Sequence, residues 1–420
     1  MSDLGIADHG LIGDLRTAAL VGTDGTIDWF CAPRFDSPSV FGAVLDSEIG
    51  GHWRIAPDCE VAARHQFYFP DSNILITRFL TEDGVVEVQD FMPIRRAHDQ
   101  EHRERIVRRV TSVRGQMEMR TEIAPRFDYG RAEHEATTEE DGVHFESDEL
   151  VLAVGASVDL ELRGGDANAT FHLDEGASEV FVLEVIGSGE DQAGHHPDDA
   201  LELFDQTVRY WRDWLSQSVY TGRWREMVHR SALTLKLLTH EPTGAVVAAP
   251  TTSLPEEIGG ERNWDYRHVW IRDAAFSLYA LLRLGFTDEA EAFMGWLTDR
   301  FCEAGETPQG GIGGEWGPLR VMYTIDGDSE LTEHELDHLA GHRDSSPVRI
   351  GNGAAEQLQL DIYGEIIDSV YLFNKYGPGI SGKSWDDLVR VVEWLIDNWD
   401  QPDEGIWSRA AAGATTPSRG

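Results

Sequence analysis

The chain has 420 residues, 41% of them hydrophobic and 10% aromatic, a globular composition with room for about two or three domains. Its formal net charge is −40, from 35 Lys and Arg against 75 Asp and Glu. That balance argues against nucleic acid and anionic membranes as partners, since both would be repelled, and it fits a neutral substrate and a halophilic setting in which salt screens the self-repulsion.

Lysine occurs only at Lys236, Lys375 and Lys383, so the basic residues are nearly all Arg. The three cysteines, Cys31, Cys59 and Cys302, are scattered and form neither a disulfide framework nor a metal-binding pattern. The opening MSDLGIADHGLIGDL has no basic segment and no apolar run of signal length. No stretch approaches the roughly 18 apolar residues of a membrane span. These features predict a cytoplasmic protein, and they leave its oligomeric state open.

Residues 1 to 190 alternate apolar and polar positions between Gly and Pro turns, which predicts an antiparallel β-sandwich. LITRFLTEDGVVEVQDFMPI predicts a hairpin turning at Asp83-Gly84. From 191 to 220 a polar linker leads into a helix, with Leu201, Phe204, Val208, Trp211 and Trp214 at helical spacing. Residues 221 to 407 read as helices joined by long connections, and such connections often line a site. ELTEHELDHLAG is among the stretches that read as helix. The tail from 408 to 420, RAAAGATTPSRG after Ser408, carries no acidic residue and is unlike the chain before it.

Three motifs carry candidate chemistry. In ERNWDYRHVWIRDAAF, residues 261–276, aromatics alternate with charges, and Arg272 and Asp273 fall at a helix start. An Arg–Asp pair supplies both the donors and the acceptors that vicinal sugar hydroxyls need, and it also suits an ordinary structural ion pair. HELDH, residues 334–338, matches the zinc pattern H-E-x-x-H. Asp337 on that helix, its early stop at Gly341 and the lack of a third ligand beyond Asp344 count against a metal.

PVRIGNGAAEQLQLDIYGEIIDSVY, residues 347–371, runs from a glycine-punctuated extended segment into a helix. Arg349 and Asn352 lie on its glycine loop. Asp361 and Glu365 share a helix face among Leu358, Ile362, Ile366 and Val370. A carboxyl in apolar surroundings keeps its proton to higher pH and can act as a general acid. The helix by itself is equally compatible with a solvated glutamate.

IADHGLIGDLRTAALVGTDGTIDWFCAPRFDSPSVFG, NWDYRHVWIRDAAF, LTEHELDHLAGHRDSSPVRIGN and QLQLDIYGE together resemble glycoside hydrolase family 15, the glucoamylase and trehalase family. The resemblance runs from Ile6 to Trp407. It implies a β-sandwich followed by an (α/α)6 helical toroid, and hydrolysis of α-glucosidic bonds with inversion and without a cofactor. The helices after residue 220 fall short of the number a full toroid requires, so the toroid is expected to be incomplete, with a reading-frame change after Trp407 as one origin. Glucoamylase-type action on a neutral oligosaccharide is the first expectation. Trehalase action on a disaccharide, or an inactive fragment, is the alternative. By the resemblance Glu365 is the general acid, Arg272 and Asp273 bind glucose hydroxyls, and Trp264, Asp265, Arg349 and Asn352 line the same subsite. HELDH becomes family framework, with no metal. The general base of an inverting hydrolase is expected beyond the residues present.

Overall fold

The computed structural model describes residues 4–94, 103–139, 142–187, 199–304 and 319–405, with the backbone alone at 301–304. The linker at 188–198, the glycine-rich stretch 310–316 and the tail at 408–420 lie outside the described residues. The chain divides into two compact units. The first comprises Met1–Pro242, Pro250–Asn263 and Leu336–Val348, and the second Thr243–Ala249, Trp264–Glu335 and Arg349–Gly420.

The first unit holds two antiparallel sheets. One runs β1 (His9–Gly13), β2 (Ala18–Gly22), β3 (Thr26–Cys31), β5 (His52–Pro57), β10 (Met117–Ala124), β15 (Asp166–Leu173) and β14 (Glu161–Arg163), with β4 (Ser39–Phe41) paired to β3. The other runs β11 (Glu135–Glu139), β12 (Gly142–Glu146), β13 (Leu150–Ala156), β16 (Ser178–Gly187), β9 (Arg105–Gly115), β8 (Gly84–Phe91), β7 (Leu75–Leu80) and β6 (Ala63–Tyr68). The expected hairpin is β7 and β8, paired from Leu75 and Asp90 to Leu80 and Val85.

Both sheets contribute to one apolar core. Phe30, Trp53, Ile55 and Met119 come from the first, and Val86, Ile106, Phe145 and Leu183 from the second. The alternation seen in the sequence is therefore the inward face of each strand. The core also contains a charge. Arg108 is fully buried and donates through Nε to Asp90 Oδ1 at 2.8 Å. Its Nη1 and Nη2 reach the carbonyls of Trp53 and Gly25, each at 2.7 Å. The guanidinium thus links the two sheets with its donors satisfied, as a buried cation requires.

Residues 127–130 form a single turn, α1 (Phe127–Gly130), in which Asp128 and Tyr129 take left-handed φ values of 50° and 58°. The sheet-bearing unit extends past the boundary near residue 190 that composition suggests. Helix α2 (Ala200–Leu215) lays Ala200, Leu203 and Val208 on Ile74, Phe91, Val107 and Val182 of the sheet, and α3 (Arg225–Leu237) follows within the same unit. Of the stripe read from the sequence, Val208, Trp211 and Trp214 are buried, whereas Leu201 is exposed and Leu203 takes the buried place near the helix start.

The second unit is mainly helical: α4 (Ile271–Leu284), α5 (Thr287–Ala304), α6 (Asp361–Tyr376) and α7 (Gly382–Asn398). Two short ladders accompany them, β17 (Val269–Trp270) with β18 (Met322–Tyr323), and β19 (His334–Glu335) with β20 (Arg349–Ile350). Helix α4 closes at Gly285 in the left-handed conformation, and Ser381 caps α7 by accepting from Ser384 N at 3.0 Å.

One predicted element differs. ELTEHELDHLAG is not a helix. Its His334 and Glu335 form β19, while Leu336 N donates to Val348 O and Gly341 adopts a φ of 80°. The backbone groups find cross-chain partners, so the i, i+4 geometry of a zinc-binding helix does not arise. Among the described residues no group of three or more His, Cys, Asp or Glu is arranged to hold a metal ion. No described helix is long and apolar enough to cross a membrane.

Candidate active site

The helical unit gathers the candidate residues where α4 and α6 begin. β17 delivers the chain to Trp270, the residue that precedes α4, so Arg272 and Asp273 occupy the helix's first turn. Asp361 opens α6, which packs against α4. A carboxylate in a first helical turn is favoured by the unpaired N–H groups there.

The two first turns are joined by Arg272. Its Nη1 donates to Asp361 Oδ2 at 2.8 Å and to Gln359 Oε1 at 3.3 Å. Its guanidinium carbon lies 5.6 Å from the centroid of the Trp270 ring. Glu365 stands one turn after Asp361 and is half-buried, while Ile362, Ile366 and Val370 on the same helix are buried. Its carboxyl is held above the ordinary glutamate range. Burial is the largest cause, the nearby charges of Asp361 and Asp368 add to it, and Arg272 opposes them. Asp273 keeps solvent contact but is also raised, by desolvation of its carboxyl, with Arg272 opposing. The arrangement offers a carboxyl raised above its ordinary range, a second carboxyl one turn before it on the same helix and a cation fixed by that second carboxyl.

A second group has a different character. Asp265 is 1% exposed and its two oxygens are taken by protein donors. Oδ1 accepts from Arg267 N at 3.1 Å and Arg267 Nε at 2.9 Å. Oδ2 accepts from Arg267 Nη2 at 2.7 Å and Gly351 N at 3.1 Å. Burial alone would raise this carboxyl, but Arg267, with His268, outweighs it and holds Asp265 well below the usual range. Asn352 joins the same knot: its Nδ2 donates to the Asp265 carbonyl at 3.1 Å and its Oδ1 accepts from Ala354 N at 3.0 Å. Gly351 between them has a φ of 71°, and a Cβ there would lie 2.1 Å from Thr332 O, so only glycine fits.

Arg349 and Trp264 make a third group. The Arg349 guanidinium lies 4.8 Å from the Trp264 ring centroid, with its Nε 3.2 Å from Glu333 Oε1 and its Nη2 3.3 Å from Glu335 Oε1. This is a ring backed by a cation, with a rim of carboxylates.

Of the residues singled out from the sequence, Arg272 and Asp273 thus belong to the first turn of α4, and Glu365 to α6 one turn after Asp361. Asp265 and Asn352 are buried and fully engaged, and Trp264 and Arg349 stack on each other. The partner of Arg272 was not among the sequence candidates. Asp361 was visible only as a second carboxylate on the Glu365 face, and nothing local signals an ion pair across 89 residues.

Comparison with known proteins agrees with the resemblance. Residues 222–412 match the model of glycosyl hydrolases family 15, and residues 2–211 match that of the trehalase-like N-terminal domain. The chain is 38% identical to a trehalase of Mycolicibacterium smegmatis over 427 residues, covering 96% of this chain and 62% of the relative. It is 36% identical to a trehalase of Thermoplasma volcanium, covering 95% of this chain and 62% of that protein. It is 32% identical to trehalase 1 of Sulfolobus acidocaldarius, covering 96% and 67%. The chain therefore spans about three-fifths of the length of the first two. Among solved structures, a provisionally named kojibiose phosphorylase from the human microbiome superposes with a TM-score of 0.51 at 10% identity, covering 92% of this chain and 56% of that one, which is a likeness of fold alone. With a sheet-rich first unit, a helical second unit and matches of this extent, the chain belongs to glycosyl hydrolase family 15.

Proposed function

We propose that the chain carries the general acid of a glycosidase site that cleaves the α-glucosidic bond of trehalose. The observation that carries this reading is the constellation at the start of α4 and α6: Glu365, Asp361, Arg272 and Asp273. The names of the relatives favour trehalose over the starch-type substrate that the sequence suggests first. In this reading α4 to α7 are part of an (α/α)6 toroid. The exposure of Phe276 on α4 and Tyr371 on α6 supports that, since such a ring buries apolar faces between helices.

Glu365 gives its proton to the glycosidic oxygen as the bond breaks, which removes the need to expel an alkoxide. Asp273 and the outward edge of Arg272 take glucose hydroxyls, and Asp361 holds Arg272 in place. Asp265, Arg267 and Asn352 set the loop that presents Arg349 and Trp264 and do not themselves meet sugar. Inversion requires a second carboxylate about 6.5–9.5 Å from the acid, with a water between them. No described residue is assigned to that role.

The full chain, assayed in molar salt, is expected to release glucose from α,α-trehalose with a kcat/KM at least about tenfold above that for maltose, the scale on which a shaped pocket separates related substrates. A preference for maltose would restore the glucoamylase reading, and no turnover of either from a cooperatively folded sample would refute the proposal. The pH profile gives a second expectation. Negative charge at Asp361 helps Glu365 keep its proton, so Asp361→Asn should move the alkaline limb of kcat/KM to lower pH. Freed from its partner, Arg272 would push the limb the same way. An unmoved limb would show that another group is the acid.

A further inference from the structure

The first unit contains a pocket of about 430 Å³ that the chemistry above does not use. Its walls come from β3 and the turn before it, from residues 43–48 and from residues 340–344. Three side chains that line it keep a buried polar atom for which no described residue supplies a partner: Asp28 Oδ1, Thr26 Oγ1 and His342 Nε2. Asp28, Thr26 and His342 are 8%, 2% and 3% exposed. Buried polar atoms are nearly always paired, so three that line one pocket call for a partner there.

The hydrogen bonds that do exist fix what these atoms can do. His342 Nδ1 donates to the Val44 carbonyl at 3.0 Å, so in the neutral ring Nε2 is a bare acceptor. Asp28 Oδ2 is held by His9 Nε2 at 2.8 Å, which leaves Oδ1 as the second acceptor. Thr26 Oγ1 either donates or accepts. The carboxylate of Asp46, also in the wall, is already engaged, by Glu48 N and Ile49 N at Oδ1 and by Ala340 N at Oδ2. The free groups therefore call for a ligand that brings several hydrogen-bond donors and can also accept.

Two other ligand classes fit less well. A divalent metal would need converging His, Cys, Asp or Glu ligands, and no group of three is so placed among the described residues. An organic ammonium would find no Phe, Tyr or Trp ring in the wall and would meet Arg343, while Asp24, Asp28, Asp46, Glu48 and Asp344 make it the competing class to be separated by the test. Leu4, Ala43 and Val44 supply small apolar surface for the carbon face of a ring. We propose that this pocket binds a small neutral polyhydroxylated molecule, a monosaccharide or polyol, whose hydroxyls donate to Asp28 Oδ1 and His342 Nε2 and share a hydrogen bond with Thr26 Oγ1. The site is separate from the Glu365 constellation and does not depend on the activity assigned there.

The test is a glucose titration of the full chain, followed by saturation-transfer NMR, with Thr26→Val and His342→Phe as variants. Both variants are made on an Asp273→Ala background, which removes hydroxyl contacts assigned to the Glu365 site, so that the binding read is that of the pocket. Each is expected to weaken glucose binding at least fivefold. Thr26→Val, which has the same shape, should keep its melting temperature without glucose, because it replaces an unpaired hydroxyl by a methyl. Saturable binding that neither variant weakens would place glucose elsewhere and overturn the proposal, as would the absence of saturable binding. Saturation by tetramethylammonium without glucose binding would overturn it too, in favour of a cation site.

Discussion

Replacing Glu365 by Gln is expected to lower kcat on trehalose by about 10²–10⁴-fold, the usual contribution of a positioned general acid. The amide has nearly the shape of the carboxyl but no proton to give. Binding should change little, since the hydroxyl contacts are assigned to Arg272 and Asp273, so the loss should appear in kcat more than in KM. The fold should also survive: Glu365 is half-buried, and the hydrogen bond it receives from Ser369 Oγ, at 2.8 Å, goes to its backbone carbonyl. Steady-state kinetics beside a thermal melt separates these effects. Turnover retained in a folded variant would mean that the proton comes from another group.

Removing Asp265 should act on stability instead. Asp265→Ala removes the carboxylate that pairs with the Arg267 guanidinium, itself 2% exposed. Breaking a buried pair on one side costs about 3–5 kcal/mol, against an exposed pair at about 0–1 kcal/mol. Denaturant unfolding of variant and wild type reads the difference, and a loss under about 1 kcal/mol would contradict the structural role. The sign with pH follows from the depressed folded-state pKa. Asp265 stabilises the fold fully above its unfolded value near about 3.9, and the contribution fades as pH falls from there through the folded value. The gap between wild type and variant should therefore be constant near neutrality and narrow only in strong acid. Catalysis should fall as well, because Asp265 Oδ2 anchors Gly351 N beside Arg349.

Much of the architecture was legible because burial writes a period into the chain. The two-residue alternation of β7 and β8 and the helical stripe around Glu365 are direct images of what each element buries. HELDH misled because Leu336 and Leu339 are both buried and three apart, a spacing that a turn satisfies as well as a helix. What decides between them is Val348, whose carbonyl pairs with Leu336 N, and that contact is not local. The setting of Asp265 is also non-local: its Oδ2 accepts from Gly351 N as well as from Arg267. The reach of Arg272 to Asp361 depends on α4 and α6 packing side by side with their first turns together, which no local spacing records.

The most direct test of the account is the anomeric state of the first glucose released from α,α-trehalose, read by proton NMR before mutarotation. A site in which Glu365 protonates the leaving oxygen while water attacks the opposite face yields α- and β-glucose in equal amounts at the outset. Release of the α anomer alone would show retention and a covalent step, and would contradict the single inverting displacement assigned to this site. No glucose at all from a cooperatively folded chain would contradict it as well.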